Sequence, residues 1–355
     1  MRRLVVCNTN YQIIMAIHMK MTIFNDDEID ICITDHIQNY KNIAEGIEKT
    51  KLFSKILLFD SIDIVKQKNK LKQIIDAILI GTGILYCKKK YSNNYNEILL
   101  YNLDVSTFIL INMLEKTKNE VVLSKYDEGV FSYNTDFYIS GMRYKIIKKL
   151  RFIRKKRDIE NSFTNFYCCF PRLLKIHKEW KRIEVPQLDS SNYLLKKYLK
   201  DVYGECDEDF EKKFIYFASS SDIDNCPYGE RELVKKIADK VGIENLIIKK
   251  HPRDTTTYFE KSGIVTMKHS ALPWETMQIL LPANEYVLLT ITSGAFISIS
   301  AMMENGCKGF FLYPEVENFN ETYIDYIKRV QKMIDDLHSI GKCKNINVCR
   351  IDEIV

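Results

Sequence analysis

Residues 286–303 read YVLLTITSGAFISISAMM. These eighteen residues carry no charge, which is length enough for a bilayer span. They also hold Thr290, Thr292, Ser293, Gly294, Ser298 and Ser300, and hydroxyls grouped around a glycine suit a turn better than a lipid-facing helix. The stretch therefore predicts a buried strand, a small-residue turn and an apolar helix. Strand, turn and helix in that order is the repeating unit of an α/β fold with a parallel sheet.

The same grammar extends in both directions. In the second half, apolar runs predict strands at Phe214–Phe217, Leu246–Lys249, Ile264–Thr266, Tyr286–Thr290 and Gly309–Leu312. Helices are expected at Glu230–Val241, Pro273–Leu280, Ala295–Asn305 and Asn320–His338. In the first half, strands are expected at Leu4–Asn8, Asp30–Thr34, Lys55–Phe59, Glu97–Tyr101 and Glu120–Leu123. Amphipathic stretches at Tyr11–Met21, His36–Lys49 and Val105–Lys116 separate them. Two doubly wound domains facing across a cleft are expected, over 1–155 and 211–355, with an interdomain region at 156–210. No internal repeat points to a solenoid.

Composition agrees with a globular chain of this kind. Hydrophobic residues make up 46% of the 355 and charged residues 28%, which excludes a disordered or fibrous chain. Only 13 residues are glycine, so a glycine beside a polar motif is informative. The net charge of +5 is local: residues 143–157 (RYKIIKKLRFIRKKR) hold nine Lys or Arg and no acid, and without them 43 basic residues face 47 acidic ones. No nucleic-acid module is recognisable, so nucleic acid is not an expected partner. The ten cysteines show no CxxC pair and no zinc spacing, and read as buried, reduced thiols of a cytoplasmic protein. The start, MRRLVVCNTNYQ, turns polar too early for a secretory signal. Ala77–Cys87 is too short for a bilayer span.

Dinucleotide, P-loop and serine-hydrolase motifs are absent: no GxGxxG follows the first strand, and there is no GxxxxGK[ST] and no GxSxG. Four polar segments instead follow apolar strands, where doubly wound sheets carry their sites. Lys125–Gly129 (KYDEG) closes two adjacent carboxylates with a glycine, which suits a general base and equally a solvated turn. Phe217–Asp222 (FASSSD) offers hydroxyls and open backbone amides to a phosphate, or simply caps a helix. In Lys249–Arg253 (KKHPR), Pro252 keeps His251 extended among cations, a group fit to protonate or stabilise a departing phosphate. Thr292–Ala295 (TSGA) puts Ser293 at a helix N-terminus, which favours an anion and also describes an ordinary cap.

Taken in order, these segments resemble the bacterial sialyltransferases of glycosyltransferase family 52, the lipooligosaccharide and capsule type. The likeness runs over about residues 4–315. It rests on the opening turn Asn8-Thr9-Asn10-Tyr11-Gln12, on Asp127-Glu128-Gly129, on Ser219-Ser220-Ser221-Asp222, on His251-Pro252, on Pro273-Trp274-Glu275 and on Ser293-Gly294-Ala295. Asn10 stands where the family has proline, and Cys226-Pro227-Tyr228-Gly229 enlarges the loop after Asp222. The resemblance implies a GT-B architecture of two Rossmann-like domains, with an acceptor-side first domain and a nucleotide-sugar-binding second one. It implies CMP-sialic acid as donor, inversion at the anomeric carbon, no required metal and no other cofactor. His251 would then stabilise or protonate the leaving CMP phosphate, flanked by Lys250, Pro252 and Arg253. Thr292, Ser293, Gly294 and the Ser219, Ser220, Ser221 loop would hold that phosphate, and Glu275 the ribose or cytosine region. Asp222 ranks ahead of Asp127 as base for the acceptor hydroxyl, with Glu128 beside the latter. Asn8, Tyr11, Gln12 and Gly129 complete the substrate-binding candidates. The acceptor would be a terminal sugar, often galactose, of a surface glycan or a lipid-linked precursor of one. A homodimer is plausible on the same resemblance.

The basic segment fits a peripheral anchor at the inner face of the cell membrane. On a helix, Ile146, Ile147, Leu150 and Ile153 would form one apolar stripe among the cations, facing anionic lipid; a solvated helix between domains has the same spacing. Two other functions keep the fold: a transferase using another donor such as a UDP-hexose, and a non-catalytic nucleotide-sugar-binding scaffold of capsule assembly.

Overall fold

The computed structural model describes residues 1–84, 94–115, 121–133, 141–175, 179–206, 213–219, 228–251, 253–269, 272–281, 286–303, 307–317 and 319–354. Pro252, Ser220, Ser221 and Asp222 of the candidate site lie outside the described residues. The chain divides into two units, Met1–Pro186 and Gln187–Val355.

The first unit runs β1 (Arg2–Cys7), α1 (Asn10–Met21), β2 (Glu28–Thr34), α2 (Tyr40–Thr50), β3 (Lys55–Phe59), α3 (Ile62–Val65), α4 (Lys70–Gly81), β4 (Glu97–Leu99), α5 (Val105–Leu114), β5 (Val122–Tyr126), α6 (Met142–Lys155), β6 (Phe163–Cys168) and β7 (Lys181–Glu184). Its sheet has the order β3-β2-β1-β4-β5-β6-β7, and every pairing is parallel. Direction of travel reverses between β1 and β4, which is where such sheets open a crevice at the strands' carboxyl ends. Helices α1 and α5 were expected to be amphipathic. Instead α5 is buried along its whole length and α1 from Tyr11 to Met19, because both are apolar on nearly every side. Asp104 starts α5 with a capping box to Thr107, satisfying the first free N–H groups.

The second unit runs α7 (Tyr193–Tyr203), β8 (Phe214–Phe217), α8 (Glu230–Val241), β9 (Leu246–Lys249), α9 (Tyr258–Lys261), β10 (Val265–Thr266), α10 (Trp274–Leu280), β11 (Val287–Thr290), α11 (Ala295–Met302), β12 (Lys308–Phe311), α12 (Glu321–Ser339) and β13 (Ile346–Val348). The sheet order is β10-β9-β8-β11-β12-β13, again all parallel. The three central strands β8, β9 and β11 are buried at every residue, the mark of a sheet covered on both faces. Stretch 286–303 is therefore β11, a turn and α11. Among the described residues no helix is long and apolar enough to cross a membrane. Gly309 of β12 lets α11 lie against the sheet: a Cβ there would come within 2.8 Å of Phe296 Cε2.

Segment 156–210 contributes β6 and β7 to the first sheet and α7 to the second unit. The basic segment forms α6, as its spacing suggests, but its apolar side faces inward. Ile147 is fully buried and Ile146 and Leu150 half-buried, leaving Ile153 exposed. Gly81 lets α6 pack on α4: a Cβ on Gly81 would meet Leu150 Cβ at 2.8 Å. Several of its cations are neutralised by acids of the same unit. Arg151 chelates Glu115 at 2.5 and 2.8 Å, Lys155 lies 3.4 Å from Glu115, and Lys148 pairs with Asp158 and Glu160. The eight described cysteines are free, with Cys7, Cys32, Cys168 and Cys169 buried.

Candidate functional site

In the first unit the chain leaves β1 at Asn8 and immediately enters α1, with Thr9 as its cap, the hydroxyl accepting from the Gln12 N–H. Asn8 is fixed from both sides: its N–H donates to Gln12 Oε1 at 2.5 Å, and its Oδ1 accepts from Thr34 at 2.9 Å. Beyond β5, the turn Asp127-Glu128-Gly129 lies at the same end of the sheet. The two motifs meet. Thr9 Oγ1 donates to Glu128 Oε1 at 2.9 Å, Gln12 Nε2 donates to Glu128 Oε2, and the Tyr11 hydroxyl reaches Asp127 Oδ1 at 3.5 Å. Segments more than a hundred residues apart in sequence thus form one polar cluster at the switch point.

The paired carboxylates have unlike surroundings. Asp127 is 1% exposed. It accepts from the Gly129 N–H at 2.7 Å, the Cys169 N–H at 3.3 Å, the Ser132 hydroxyl at 3.4 Å and the Tyr133 hydroxyl. Burial pushes its carboxyl above the ordinary aspartate range, against the pull of Tyr133 and those amides. Gly129 has φ of 94°, a left-handed conformation that folds its N–H back onto Asp127 and that a side chain would strain. Glu128 is only half-buried and is held by the α1 turn.

In the second unit the loops after β8 and β11, neighbours at the switch point, are joined through side chains. Tyr228 donates to Ser219 Oγ at 2.9 Å, and its hydroxyl lies 3.5 Å from Thr292 Oγ1. Glu230, in the first turn of α8, holds the end of β8. It accepts from the Ser219 N–H at 2.9 Å, the Ser219 hydroxyl at 2.7 Å and the Tyr216 hydroxyl at 2.8 Å. Its carboxyl is raised by burial, an effect those donors oppose. Ser293 is half-buried; its N–H donates to Thr290 Oγ1 at 2.8 Å and its Oγ accepts from the Ala295 N–H at 3.4 Å. Gly294 caps α11 without a side chain, so the first amides of that helix sit at the end of β11.

After β9, His251 is half-buried, and its Nδ1 accepts from the exposed Arg253's N–H at 3.2 Å. Lys250 turns to Glu260 at 2.9 Å and the Thr256 carbonyl at 2.8 Å. Lys249 is buried, donating to the Leu272 carbonyl at 2.8 Å. Half-buried Glu275 opens α10, its carboxyl raised by burial against the field of Lys249. The structure thus brings Asn8, Tyr11, Gln12, Asp127, Glu128 and Gly129 together in one unit, and joins Ser219 to Thr292 in the other. Glu230, Tyr216, Ser132 and Tyr133 were not singled out from sequence. Glu230 looks there like any acid in a helix's first turn, and only the buried strand beneath it reveals its role. Among the described residues no group of three or more His, Cys, Asp or Glu could hold a metal.

No protein-family model and no curated protein matches the sequence. Solved structures do match in shape. An α/β-galactoside α-2,3-sialyltransferase from the marine bacterium Photobacterium phosphoreum aligns over 100% of this chain and 99% of its own, with 16% identity and a TM-score of 0.51. The calicheamicin glycosyltransferase CalG4 aligns over 99% of this chain and 86% of its own, with 9% identity and a TM-score of 0.50. A Listeria monocytogenes protein assigned as a UDP-N-acetylglucosamine 2-epimerase aligns over 97% and 91%, with 11% identity and a TM-score of 0.50. The chain has the GT-B fold. Both sheets show the strand order of a Rossmann-like domain, and the epimerase among the likenesses means that the fold alone does not choose the reaction.

Proposed function

We propose that this GT-B protein is a glycosyltransferase that moves sialic acid from CMP-sialic acid to a terminal sugar, galactose first, of a bacterial surface glycan. One observation carries the reading: Ser219 and Thr292, from neighbouring strand ends at the second unit's switch point, are linked through Tyr228 beside the N-terminal turn of α11. A hydroxyl- and amide-lined strand end of that kind suits a nucleotide phosphate. The likeness in fold to a sialyltransferase, and the family 52 motifs, support the donor.

In this reading the second unit binds the donor. Ser219, Ser220 and Ser221, with Thr292, Ser293 and Gly294, hold the phosphate, with Pro252 and Arg253 beside it, and Glu275 takes the ribose or cytosine. The first unit binds the acceptor at half-buried Glu128, and the buried Asn8, Tyr11 and Gln12 hold the turn on which it sits. The acceptor oxygen attacks the anomeric carbon while the bond from that carbon to the phosphate oxygen breaks, inverting the centre. The electron pair leaves on the phosphate, stabilised or protonated by His251, and the hydroxyl proton passes to a carboxylate, Asp222 first. Glu128 is the second candidate base; Asp127 is enclosed by donors and holds the turn. No metal is invoked.

Thermal shift with CMP, UDP, GDP and ADP, each without metal, tests the donor. A ligand at about a hundred times its Kd adds roughly 2.7 kcal/mol to native-state stability. The expected outcome is a higher melting temperature with CMP alone. The epimerase likeness favours one alternative, a uridine-nucleotide sugar, and a shift with UDP instead would move the donor there. No shift with any nucleotide would overturn the reading. His251→Ala should lower donor turnover by about 10²–10⁴, read as CMP release; undiminished turnover would remove the histidine from the mechanism.

A further inference from the structure

Helix α4 turns its most apolar side outward. Leu71, Ile74, Ile75 and Ile78 recur at the spacing of one helix face and are between 37% and 68% exposed, while Ala77, Ile80 and Gly81 face the unit's interior. Beyond the helix, Ile84 is 63% exposed. Neighbouring α6 adds exposed Phe152 and Ile153. An apolar stripe of this length is unusual on a surface that meets only water. The charge around it is mainly positive, with Asp63 of α3 the exposed acid that precedes it. Lys66, Lys68, Lys70 and Lys72 lead into and open α4, and all four are exposed. The single acid of α4, Asp76, faces Arg143 at 3.8 Å. On α6, Lys145, Lys149 and Lys156 are exposed.

We infer that α4 is an interfacial helix through which the protein binds an anionic phospholipid bilayer. Its isoleucine face enters the headgroup–acyl boundary, and the lysines meet lipid phosphates. Charge complementarity selects this occupant: a second copy would set lysine against lysine, whereas an anionic headgroup layer accepts both the apolar stripe and its cationic border. The docking face is thus α4, and α6 supports it from behind with Ile147 and Tyr144 turned into the core. An acceptor carried on lipid would then be met at the surface where it resides.

Co-sedimentation of the full chain with phosphatidylglycerol–phosphatidylcholine vesicles tests this, with pure phosphatidylcholine vesicles as reference. Binding should require the anionic lipid and weaken with salt. It should fall about tenfold or more in Ile74→Ser/Ile75→Ser/Ile78→Ser, and comparably in Lys66→Glu/Lys68→Glu/Lys70→Glu/Lys72→Glu. All seven positions are exposed, and an unchanged circular dichroism melt shows that the variants fold. Absence of wild-type binding, or binding unaltered by the isoleucine variant, would overturn the inference. So would sedimentation velocity showing a dimer that the isoleucine variant dissolves, since the face would then be a protein interface. No sugar chemistry enters this readout, so its failure leaves the transferase reading intact.

Discussion

Asp127 and Glu128 are adjacent in sequence and opposite in circumstance. Asp127 has five donors and almost no solvent, so Asp127→Asn should destabilise the protein by about 1–3 kcal/mol in a denaturant titration, as the donors facing the replaced oxygen lose their acceptor. Glu128→Gln should leave that titration nearly unchanged and act on acceptor kinetics. If both variants cost only stability, Glu128 has no part in the reaction. Glu230 allows a test by pH. Its folded pKa is raised, so the folded state holds the proton longer than the unfolded chain does, and the stability this contributes is present at low pH and lost as pH rises through the folded value. The melting temperature of wild type relative to Glu230→Gln should therefore decline as pH climbs from about 4, the ordinary glutamate range; a constant difference would mean no shift. Sequence made Asp127 and Glu128 visible as a pair and the resemblance put Asp127 ahead; the enclosure of Asp127 was not legible, because it depends on Tyr133 and Cys169, which fold back from later in the chain.

At the scale of elements, Lys55–Phe59, Phe214–Phe217, Leu246–Lys249 and Glu230–Val241 were legible to the residue, since each is a short apolar run or an amphipathic period between clear breaks. Strands β6, β7 and β13 were not. Phe163–Cys168 reads as aromatic loop text, Lys181–Glu184 is an edge strand with three exposed residues, and Ile346–Val348 is three residues long. At β7 and β13 the edge position removes the apolar signal on which strand reading depends, whereas β6, paired on both sides, is interrupted by the polar Thr164 and Asn165. The helical period of α6 was readable, but which side met the protein depended on Gly81 in another helix. Packing of α11 depends on one atom's absence in β12. Gly309→Ala should destabilise the second unit by about 1–3 kcal/mol through overpacking against Phe296, measured by chemical denaturation; an unchanged midpoint would mean that the ring moves aside freely.

Across the whole molecule, the same strand order is built twice, and each copy presents its polar cluster at its own reversal point. That repetition explains why motif order was informative where single motifs were not: the sheet sends every candidate segment to the carboxyl ends of strands. Sequence could not supply the linkages within each cluster, Thr9 to Glu128 or Tyr228 to Thr292, which depend on side-chain direction. Each unit is also one unbroken stretch of chain, Met1–Pro186 and then Gln187–Val355. During synthesis, the first half can complete its sheet while the second is still leaving the ribosome, a delay of roughly ten to thirty seconds at ordinary elongation rates. The newborn half would already display its isoleucine-bearing helix, so under the interfacial reading the nascent chain meets a bilayer before its second half exists.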